Sequence, residues 1–207
     1  MTFLADLRIR WQAHKTRSKM NRQFGKGEDP FSYSTDPYEY ARLAALEAAL
    51  GPGPIGRVLE LGCAEGHMTE RLARRAASVT SVDISSVAIA RARRRAPSAI
   101  FSEGDILTWE PGEAAAFDVV VVAEVLYYLD RAGVSDEFAA LFARIAGWIK
   151  PGGRLLMSHA FAGDAEFAHR RSFRERFERA GLKLSAETIP EAGRGGVRCL
   201  LSTLEKI

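Results

Sequence analysis

Residues 57–66 read RVLELGCAEG, and this stretch decides the fold. It has the pattern of a buried strand that ends in an acid, breaks into a glycine turn and opens a helix. Gly62 lets the chain reverse where a side chain would collide with a ligand, and Gly66 lets the helix start close against the strand. Backbone N–H groups freed by such a turn face the ligand. The stretch predicts the nucleoside-binding turn of an α/β protein.

A second strand end supports this interpretation. Asp83 lies at the predicted strand end within the run Ser-Val-Asp-Ile-Ser at residues 81–85, about 20 residues beyond the glycine turn. At that distance a βαβ unit offers a carboxylate to a ribose diol. Asp83 could instead cap the next helix, but the spacing favours ligand binding.

From residue 57 onward, short β-rich runs alternate with helical patterns, which indicates an α/β fold with a mostly parallel, seven-stranded sheet and helices on both faces. Four consecutive valines at 119–122 mark a central strand covered on both sides. The predicted strands are 57–61, 79–83, 99–102, 117–123, 154–160, 182–188 and 198–205. The predicted helices are 68–76, 86–95, 136–148 and 165–180.

The first 55 residues form a separate region, and we expect the ligand-binding domain to cover residues 56–207. Residues 1–27 are polar and basic and end in a flexible Gly-Lys-Gly junction. Residues 7–22 have a transit-peptide-like composition, although an amphipathic surface segment is the preferred interpretation. An aromatic segment at 31–40 follows, and Asp36 and Pro37 are expected to cap and begin a helix that ends near Gly51.

Composition narrows the functional classes. The 207 residues, 47% of them hydrophobic, suffice for one sizeable core. Twenty-nine cations against 26 anions make a mixed surface, so we expect no nucleic-acid partner and interpret the basic run 91–95 as a solvated helix face rather than a phosphate or RNA contact. Cys63 and Cys199 belong to no CxxC pair, which indicates a reduced, cytoplasmic chain. We expect no membrane span and, from the histidine spacing, no metal.

Four strand ends carry polar residues at the edge where open α/β sheets bind ligands: Glu60 with Gly62, then Asp83, Asp105 and Glu124. Together they resemble class I S-adenosylmethionine-dependent methyltransferases. The resemblance implies S-adenosylmethionine as cofactor and S-adenosylhomocysteine as product. It also implies a cofactor site in which the glycine turn packs on the methionine part, Asp83 binds the ribose, Ile84 contacts adenine and the Asp105–Ile106 pair reads its edge. The implied cofactor-binding residues are Arg42, Glu60, Gly62, Cys63, Ala64, Gly66, Asp83, Ile84, Asp105, Ile106 and Ala123.

A narrower resemblance rests on three further segments. These are Asp-Pro-Phe at 29–31 with Tyr38, Glu39 and Arg42, the glycine turn with Ala64 in place of a middle glycine, and VVAEVLYYL at 121–129. They are similar to the NodS-like N-methyltransferases, which methylate the free amine of a glucosamine oligosaccharide. The resemblance implies a small-molecule acceptor, although residues 130–207 match the family less clearly.

Glu124, Tyr127 and His159 are the catalytic candidates. Glu124 could accept a proton from an amine, or cap a helix beginning at Val125. Tyr127 and its neighbour Tyr128 could face a cationic sulfonium, or belong to the core. His159 could belong to the acceptor pocket or be a structural partner. We also predict that the aromatic segment 31–40 forms a lid, with Arg42 available for the methionine carboxylate.

Several alternatives share parts of the pattern. A nicotinamide-dependent oxidoreductase also uses a strand, a glycine turn and a distant acid, but the Gly62-x-x-x-Gly66 spacing lacks the G-x-G-x-x-G register. A noncatalytic cofactor-fold partner protein would be free to lose Asp83 or the glycines. An RNA or protein methyltransferase, and an O- or C-methyltransferase of a natural product, also stay open.

Overall fold

The computed structural model describes residues 3–191 and 193–207 of the chain. Its helices are α1 (Phe3–Phe24), α2 (Pro37–Ala49), α3 (His67–Ala73), α4 (Ser86–Arg95), α5 (Leu126–Leu129), α6 (Ser135–Trp148) and α7 (Gly163–Arg179). Its strands are β1 (Ile55–Leu61), β2 (Ala76–Asp83), β3 (Ile100–Glu103), β4 (Phe117–Ala123), β5 (Ile149–Phe161), β6 (Leu182–Thr188) and β7 (Arg198–Lys206). A single 3₁₀ turn, Ala132–Val134, precedes α6.

All seven strands form one sheet in the order β3-β2-β1-β4-β5-β7-β6. The pairs from β3 to β5 are parallel, whereas β7 runs antiparallel to both β5 and β6. The predicted seven-stranded, mostly parallel sheet is therefore confirmed. The strand order reverses between β1 and β4, and ligands of open α/β sheets bind at the carboxyl ends of the strands at such a point.

Hydrophobic cores cover both faces of the sheet. Leu59 and Val120 belong to one core, together with residues of α6 and α7. Val58 and Val121, their chain neighbours, belong to the other core with residues of α2 and α3. Because successive side chains of a strand point to opposite faces, the unbroken apolar runs of β1 and β4 supply both cores.

The N-terminal region is more ordered than its polar composition indicates. Residues 3–24, expected as a basic surface segment, form the 22-residue helix α1. Near its C-terminal end, Asn21 accepts a 2.7 Å hydrogen bond from the Ser85 hydroxyl, and Phe24 is buried. Arg17 forms an ion pair with Glu103 at the end of β3. These long-range contacts, which composition does not report, hold α1 against the sheet edge.

Helix α2 begins as predicted: the Asp36 carboxylate accepts a 2.9 Å hydrogen bond from the Tyr38 N–H, and Pro37 is the first helical residue. Three other boundaries were wrong by three residues or more. Helix α3 ends at Ala73 rather than residue 76, because a turn at residues 74–75 leads into β2, which begins at Ala76 rather than residue 79. Strand β5 begins at Ile149 rather than residue 154, and residues 150–153 form an irregularity in its pairing with β4, where Gly152 adopts a positive φ of 75°.

Two findings bear on the environment of the chain. Within the described residues, no helix combines the length and apolarity needed to cross a membrane. Cys63 and Cys199 are both buried and free. Cys63 lies in the glycine turn and Cys199 on β7. Burial raises the pKa of the Cys199 thiol to about 11, so this thiol is unreactive at neutral pH.

Candidate functional site

The glycine turn and Asp83 form one hydrogen-bonded unit. Asp83 Oδ2 accepts a 2.9 Å bond from the Ala64 N–H, and Oδ1 accepts a 2.8 Å bond from the Ser85 N–H. Ala64, which replaces a glycine of the commoner pattern, has a positive φ of 46°. The alanine therefore adopts the left-handed conformation that the turn requires, at a cost in strain. Asp83 thus shapes the turn and still has lone pairs for a ligand.

A cavity of about 460 Å³ opens at the carboxyl ends of β1, β2 and β4. Most of the predicted site residues line it: Gly62, Ala64, Asp83, Ile84, Asp105, Ile106, Ala123, Glu124 and Tyr127. Burial raises the pKa values of Asp83 and Asp105, and backbone N–H groups oppose the rise in both cases. The arrangement combines apolar walls with a few fixed polar groups, as small-molecule sites do.

The other predicted cofactor residues lie beside this cavity. Arg42, Glu60 and Cys63 line a smaller adjoining space of about 20 Å³. Gly66 is at the start of α3 with a positive φ of 82°, and a Cβ there would stand 3.0 Å from the backbone of Ala92 in α4. Gly66 therefore allows α3 to pack closely on α4, whereas the sequence predicted a close approach of the helix to its strand.

Glu60 is a buried acid held by two hydroxyls. Its Oε2 accepts hydrogen bonds from the hydroxyls of Thr69 (2.5 Å) and Ser81 (2.9 Å). Burial raises its pKa from 4.5 to about 7, while the two hydroxyls lower it. The acid therefore links β1, β2 and α3 behind the glycine turn.

Glu124 is the carboxylate at the centre of the site. Its backbone has a positive φ of 54°, which is uncommon for a residue other than glycine and directs the chain away from β4. Its Oε2 accepts hydrogen bonds from the Tyr127 hydroxyl (2.8 Å) and the Ala160 N–H (3.1 Å). Its Oε1 is buried and has no hydrogen-bond partner among the described residues. Burial raises the pKa of Glu124, and Arg42 opposes the rise.

Arg42 is engaged with protein carboxylates. Its Nε and Nη2 donate to Oε2 of Glu39 at 3.0 and 2.8 Å, and its Nε lies 3.9 Å from Oε1 of Glu124. Its Nη1 reaches the Ser158 hydroxyl at 3.4 Å. The guanidinium is almost fully buried, so this network fixes α2 on the ends of β4 and β5.

His159 stands behind the site instead of lining the cavity. It is 2% exposed, and its ring packs against the rings of Tyr127 at 6.0 Å and Phe173 at 5.5 Å. Burial, with Arg170 nearby, lowers its pKa to about 3, so the imidazole is neutral at physiological pH. Of the two roles that the sequence left open, the observed position is that of a packing partner.

Helix α1 contributes a cavity wall that the sequence did not predict. Thr16, Lys19, Met20 and Phe24 line the cavity, and Phe24 packs on Phe31 with ring centroids 5.4 Å apart. Thr16, Met20 and Phe24 follow one another at intervals of four residues, which places them on one helix face. This spacing was the signal that could have identified the wall.

The aromatic segment lines the cavity only in part. Phe31, Tyr33 and Tyr38 are lining residues, whereas Tyr40 is 64% exposed and lies over the Arg71 guanidinium. Tyr40 is therefore not a lid residue in this structure. Near Tyr38 the cavity also has Arg194, which forms an ion pair with Asp36 and belongs to the glycine-rich connection before β7.

Among the described residues, one cluster of possible metal ligands is brought together by the fold rather than by its spacing in the sequence. Atoms of Asp29, Glu65 and His67 lie within 4.8 Å of one another. Arg91 forms an ion pair with Glu65, and Arg95 donates to the Glu65 carbonyl at 3.1 Å. Arg91 therefore neutralises Glu65. Both Asp29 oxygens accept 2.8 Å hydrogen bonds from backbone N–H groups, those of Tyr33 and Ser34, so we assign no metal to this cluster.

The sheet order, the glycine turn and the strand-end acids define the fold as that of class I S-adenosylmethionine-dependent methyltransferases. Within that class, residues 14–161 match the family model described as Nodulation protein S (NodS), and the chain belongs to this family.

Relatives and a solved structure support this assignment. The chain is 35% identical over 153 residues to Nodulation protein S of Rhizobium tropici, covering 72% of this chain and 62% of the relative. It is 39% identical over 104 residues to Nodulation protein S of Azorhizobium caulinodans, covering 49% of each chain. The chain thus spans about half to three fifths of the length of these relatives.

Similarity in structure extends further. The crystal structure of the N-methyltransferase NodS from Bradyrhizobium japonicum WM9 in complex with S-adenosylhomocysteine superimposes with a TM-score of 0.80 and 26% identity. The superposition covers 92% of this chain and 98% of that one. The region beyond residue 161 therefore shares the fold, although the family model does not match it.

Proposed function

We propose that the chain is an S-adenosylmethionine-dependent N-methyltransferase of a small amine, with an amino sugar of the chitooligosaccharide type as acceptor. Family membership and similarity to an N-methyltransferase with bound S-adenosylhomocysteine support the reaction class. The observation that carries the proposal is Oε1 of Glu124, a buried carboxylate oxygen of a cavity residue that has no hydrogen-bond partner among the described residues. Such an oxygen suits an acceptor that brings its own N–H donor.

The residues present fit the cofactor. Asp83 offers a fixed carboxylate for a ribose diol, and Gly62 lines the cavity beside it. A Cβ at Gly62 would stand 2.9 Å from the Val125 side chain, so the glycine lets the turn pack closely on the segment after β4. Ile84 and Ile106 supply apolar surface on the same side as Asp105. When bound, S-adenosylmethionine supplies a methyl group already activated by a sulfonium. The protein has only to align a nucleophile with that methyl and exclude water, and alignment is worth roughly 7 to 11 kcal/mol of a barrier.

An amine attacks only in its neutral form, so the site needs a proton acceptor. Glu124 is suited to this role because burial raises its pKa, and because Oε1 accepts no hydrogen bond from the described residues while Tyr127 and Ala160 hold Oε2. Arg42 lies at ion-pair distance from Oε1, 3.9 Å, and favours the charged form. His159 is not suited, because it lies outside the cavity lining and its pKa is about 3. We therefore assign proton acceptance to Glu124, with Tyr127 as its hydrogen-bonding partner.

The wall near Glu124 supports an amino sugar. Tyr127 and Tyr128 pack with ring centroids 4.5 Å apart, and Tyr128 is 42% exposed at the cavity. Aromatic faces attract cations and pack on apolar surfaces, which the sulfonium and a sugar ring respectively offer. Glu39 and Arg194 add polar groups on the same side for hydroxyls.

We further propose that residues 1–55 act as a cover over the methyltransferase domain at 56–207. Phe24, Phe31 and Tyr33 line the cavity from this region. Helix α1 is bound to the start of α4 by the Asn21 hydrogen bonds, and none of the described side chains of α1 belongs to either hydrophobic core of the sheet. The reaction on this proposal takes place in the cytoplasm and needs neither a metal nor a nucleic acid. The mixed surface charge and the two free thiols support that setting.

Two linked measurements test the proposal. Thermal unfolding is followed with S-adenosylhomocysteine, S-adenosylmethionine and NAD. A ligand at about 100 times its dissociation constant adds roughly 2.7 kcal/mol, or about 5 to 11 °C for a chain of this size. Methyl transfer is then assayed on chitooligosaccharides with a free terminal amine, with the fully N-acetylated oligosaccharide as matched control.

We expect a shift with both sulfur nucleosides and methylation of the free amine alone. A shift with NAD only would overturn the assignment of S-adenosylmethionine as cofactor. Equal methylation of the acetylated control would overturn the assignment of the amine as methyl acceptor and indicate O-methylation of the sugar. The second outcome leaves the cofactor intact, so the two parts of the proposal are tested separately.

A further inference from the structure

We propose that Arg170 is a positioning residue, which holds the Glu124 carboxylate in the orientation that leaves Oε1 without a hydrogen bond from the described residues and directs it to the acceptor. The inference deepens the proposed N-methylation and rests on it, because the orientation of Glu124 matters only if an amine meets this carboxylate. Arg170 lies on α7, beyond residues 14–161, so the matched family region does not include it.

Arg170 reaches Glu124 by way of Tyr127. The guanidinium carbon of Arg170 lies 4.4 Å from the centroid of the Tyr127 ring. A guanidinium over an aromatic face is attracted by the ring and restricts its rotation. The same tyrosine donates its hydroxyl hydrogen bond of 2.8 Å to Oε2 of Glu124. Fixing the ring therefore fixes the donor.

A second connection runs through the end of β5. Arg170 Nε donates a 2.9 Å hydrogen bond to the Ala160 carbonyl, and the Ala160 N–H donates to Oε2 of Glu124 at 3.1 Å. Arg170 thus holds both donors that engage this oxygen. Because both donors converge on Oε2, Oε1 accepts no hydrogen bond from the described residues and has, among them, only Arg42 at ion-pair distance, 3.9 Å.

The guanidinium is itself supported from behind. Its Nη1 lies 2.6 Å from Nδ1 of His169, and Nε2 of His169 lies 2.8 Å from Oδ2 of Asp130. Asp130 follows α5, the helix that carries Tyr127. The chain of contacts closes on itself, and it gives Arg170 a defined position between α7, α5 and β5.

A purely structural role would tie α7 to β5 without affecting Glu124, and the carboxyl group itself distinguishes the two roles. The charged and titratable groups that face Glu124 come from α2, α5, β7 and the aromatic segment: Arg42, Glu39, Tyr127, Cys199, Tyr33 and Tyr38. Arg170→Met leaves all of them in place. Loss of well-oriented hydrogen bonds to a carboxylate favours its protonated form, so the titration of Glu124 moves to higher pH.

The first readout needs no acceptor. Protein labelled with ¹³C in the glutamate carboxyls is titrated by NMR, and the Glu124 signal is identified by its loss in Glu124→Gln. We expect a higher titration midpoint in Arg170→Met than in the native chain. Arg179→Met, which removes an exposed arginine of the same helix, is the matched control and should leave the midpoint unchanged. An unchanged midpoint in folded Arg170→Met overturns the inference.

The second readout is kinetic. We expect Arg170→Met to lower kcat about 10- to 100-fold, the scale of a misplaced reacting group, with the affinity for S-adenosylhomocysteine within about twofold. Arg170→Lys retains a cation and a hydrogen-bond donor, so its kcat should lie between that of the native chain and that of Arg170→Met. In Glu124→Gln, adding Arg170→Met should cause no further loss, because the two residues act as a unit. Independent, multiplying losses would overturn the inference.

Failure of the proposed function gives a different pattern. If no amine is methylated although the midpoint of Glu124 moves in Arg170→Met, the positioning role stands and the proposed reaction is wrong. If Arg170→Met unfolds, Arg170→Lys supplies the same comparison through the NMR titration, for which thermal unfolding is the folding control.

Discussion

The Tyr127 hydroxyl donates a 2.8 Å hydrogen bond to Oε2 of Glu124, while Oε1 of the same carboxylate has no hydrogen-bond partner among the described residues. The hydrogen bonds of the carboxylate therefore converge on one oxygen, and the other has, within the described part of the chain, only the Arg42 guanidinium at ion-pair distance, 3.9 Å. Glu124 also adopts a positive φ, and such a conformation persists only where the surrounding structure determines it. This relationship supports the proposed role of Glu124 as the proton acceptor.

We predict that Glu124→Gln lowers kcat by about 10² to 10⁴, the usual contribution of a general base, without changing cofactor affinity. The glutamine amide matches the shape of the acid but cannot accept a proton. Tyr127→Phe should lower kcat by about tenfold, since it removes one hydrogen bond to a charged group. Steady-state kinetics with a saturating amine measures both. Glu175→Gln, an exposed position on α7, is the control, and equal rates for all variants would contradict the prediction.

The same carboxylate predicts the pH dependence of the reaction. Burial raises the pKa of Glu124 above the ordinary 4.5, and only the deprotonated form accepts a proton. The rate should therefore rise with pH through this raised pKa and level off above it. The acid limb of the kcat profile should disappear in Glu124→Gln. An acid limb that persists in this variant would mean that another group is titrated.

We predict that Asp83→Asn weakens binding of S-adenosylhomocysteine by about 10- to 100-fold, because the charged acceptor for the ribose is lost. Asp118→Asn is the matched control. Asp118 also accepts a hydrogen bond from a backbone N–H group, that of Arg57 at 2.6 Å. It lies near the amino end of β4, however, whereas Asp83 is at the carboxyl end of β2. Isothermal titration calorimetry compares the two variants, and equal losses of affinity would show that any buried or partly buried aspartate of the sheet has this effect.

The proposed role of α1 as part of a cover gives a prediction for kinetics. The Asn21 side chain exchanges hydrogen bonds with the hydroxyls of Ser85 (2.7 Å) and Ser86 (3.3 Å) at the start of α4. Asn21→Ala removes both, and we expect the dissociation rate of S-adenosylhomocysteine to rise by about tenfold. Arg22→Ala, on the exposed side of α1, is the control. Unchanged cofactor affinity and turnover after deletion of residues 1–36 would reject the cover altogether.

Local patterns predicted most of the fold, because the strands and helices of an α/β sheet have distinct periods. The unbroken valines of β4 and the Asp36–Pro37 start of α2 are examples. They also placed Asp83 and Glu124 at one edge, since the ends of parallel strands meet there.

Long-range contacts could not be predicted in this way. Phe24 reaches the cavity from a helix whose composition is that of a polar surface segment. Arg170 contacts Tyr127 from α7, a helix that begins 36 residues after Tyr127 in the sequence. His159 was placed correctly at the end of a strand, yet its ring points into packed aromatic groups. Which way a side chain turns depends on tertiary packing, about which local spacing carries little information.

A substitution at Gly66 tests whether the stability of the fold depends on the close approach of α3 and α4. We predict that Gly66→Ala destabilises the fold more than Gly181→Ala, although both glycines have positive φ. At Gly181 a Cβ meets no described atom within 4 Å, so only backbone strain of about 1 kcal/mol is expected. At Gly66 the Cβ would also stand 3.0 Å from Ala92. Urea unfolding measures the difference, and equal losses would exclude the close approach as the cause.

Glu60 predicts how stability depends on pH. Its pKa is 4.5 in the ordinary case and about 7 in the fold, so the folded chain binds this proton more tightly than the unfolded chain. The stabilisation is complete below pH 4.5 and is lost as pH rises to 7, by up to about 3 kcal/mol. Glu60→Gln keeps an acceptor for Thr69 and Ser81 but cannot ionise, so its free energy of unfolding should decline less between pH 5 and 8. Urea unfolding across this range measures the slope, and a slope equal to that of the native chain and of the exposed control Glu175→Gln would show that Glu60 is not the titrating group.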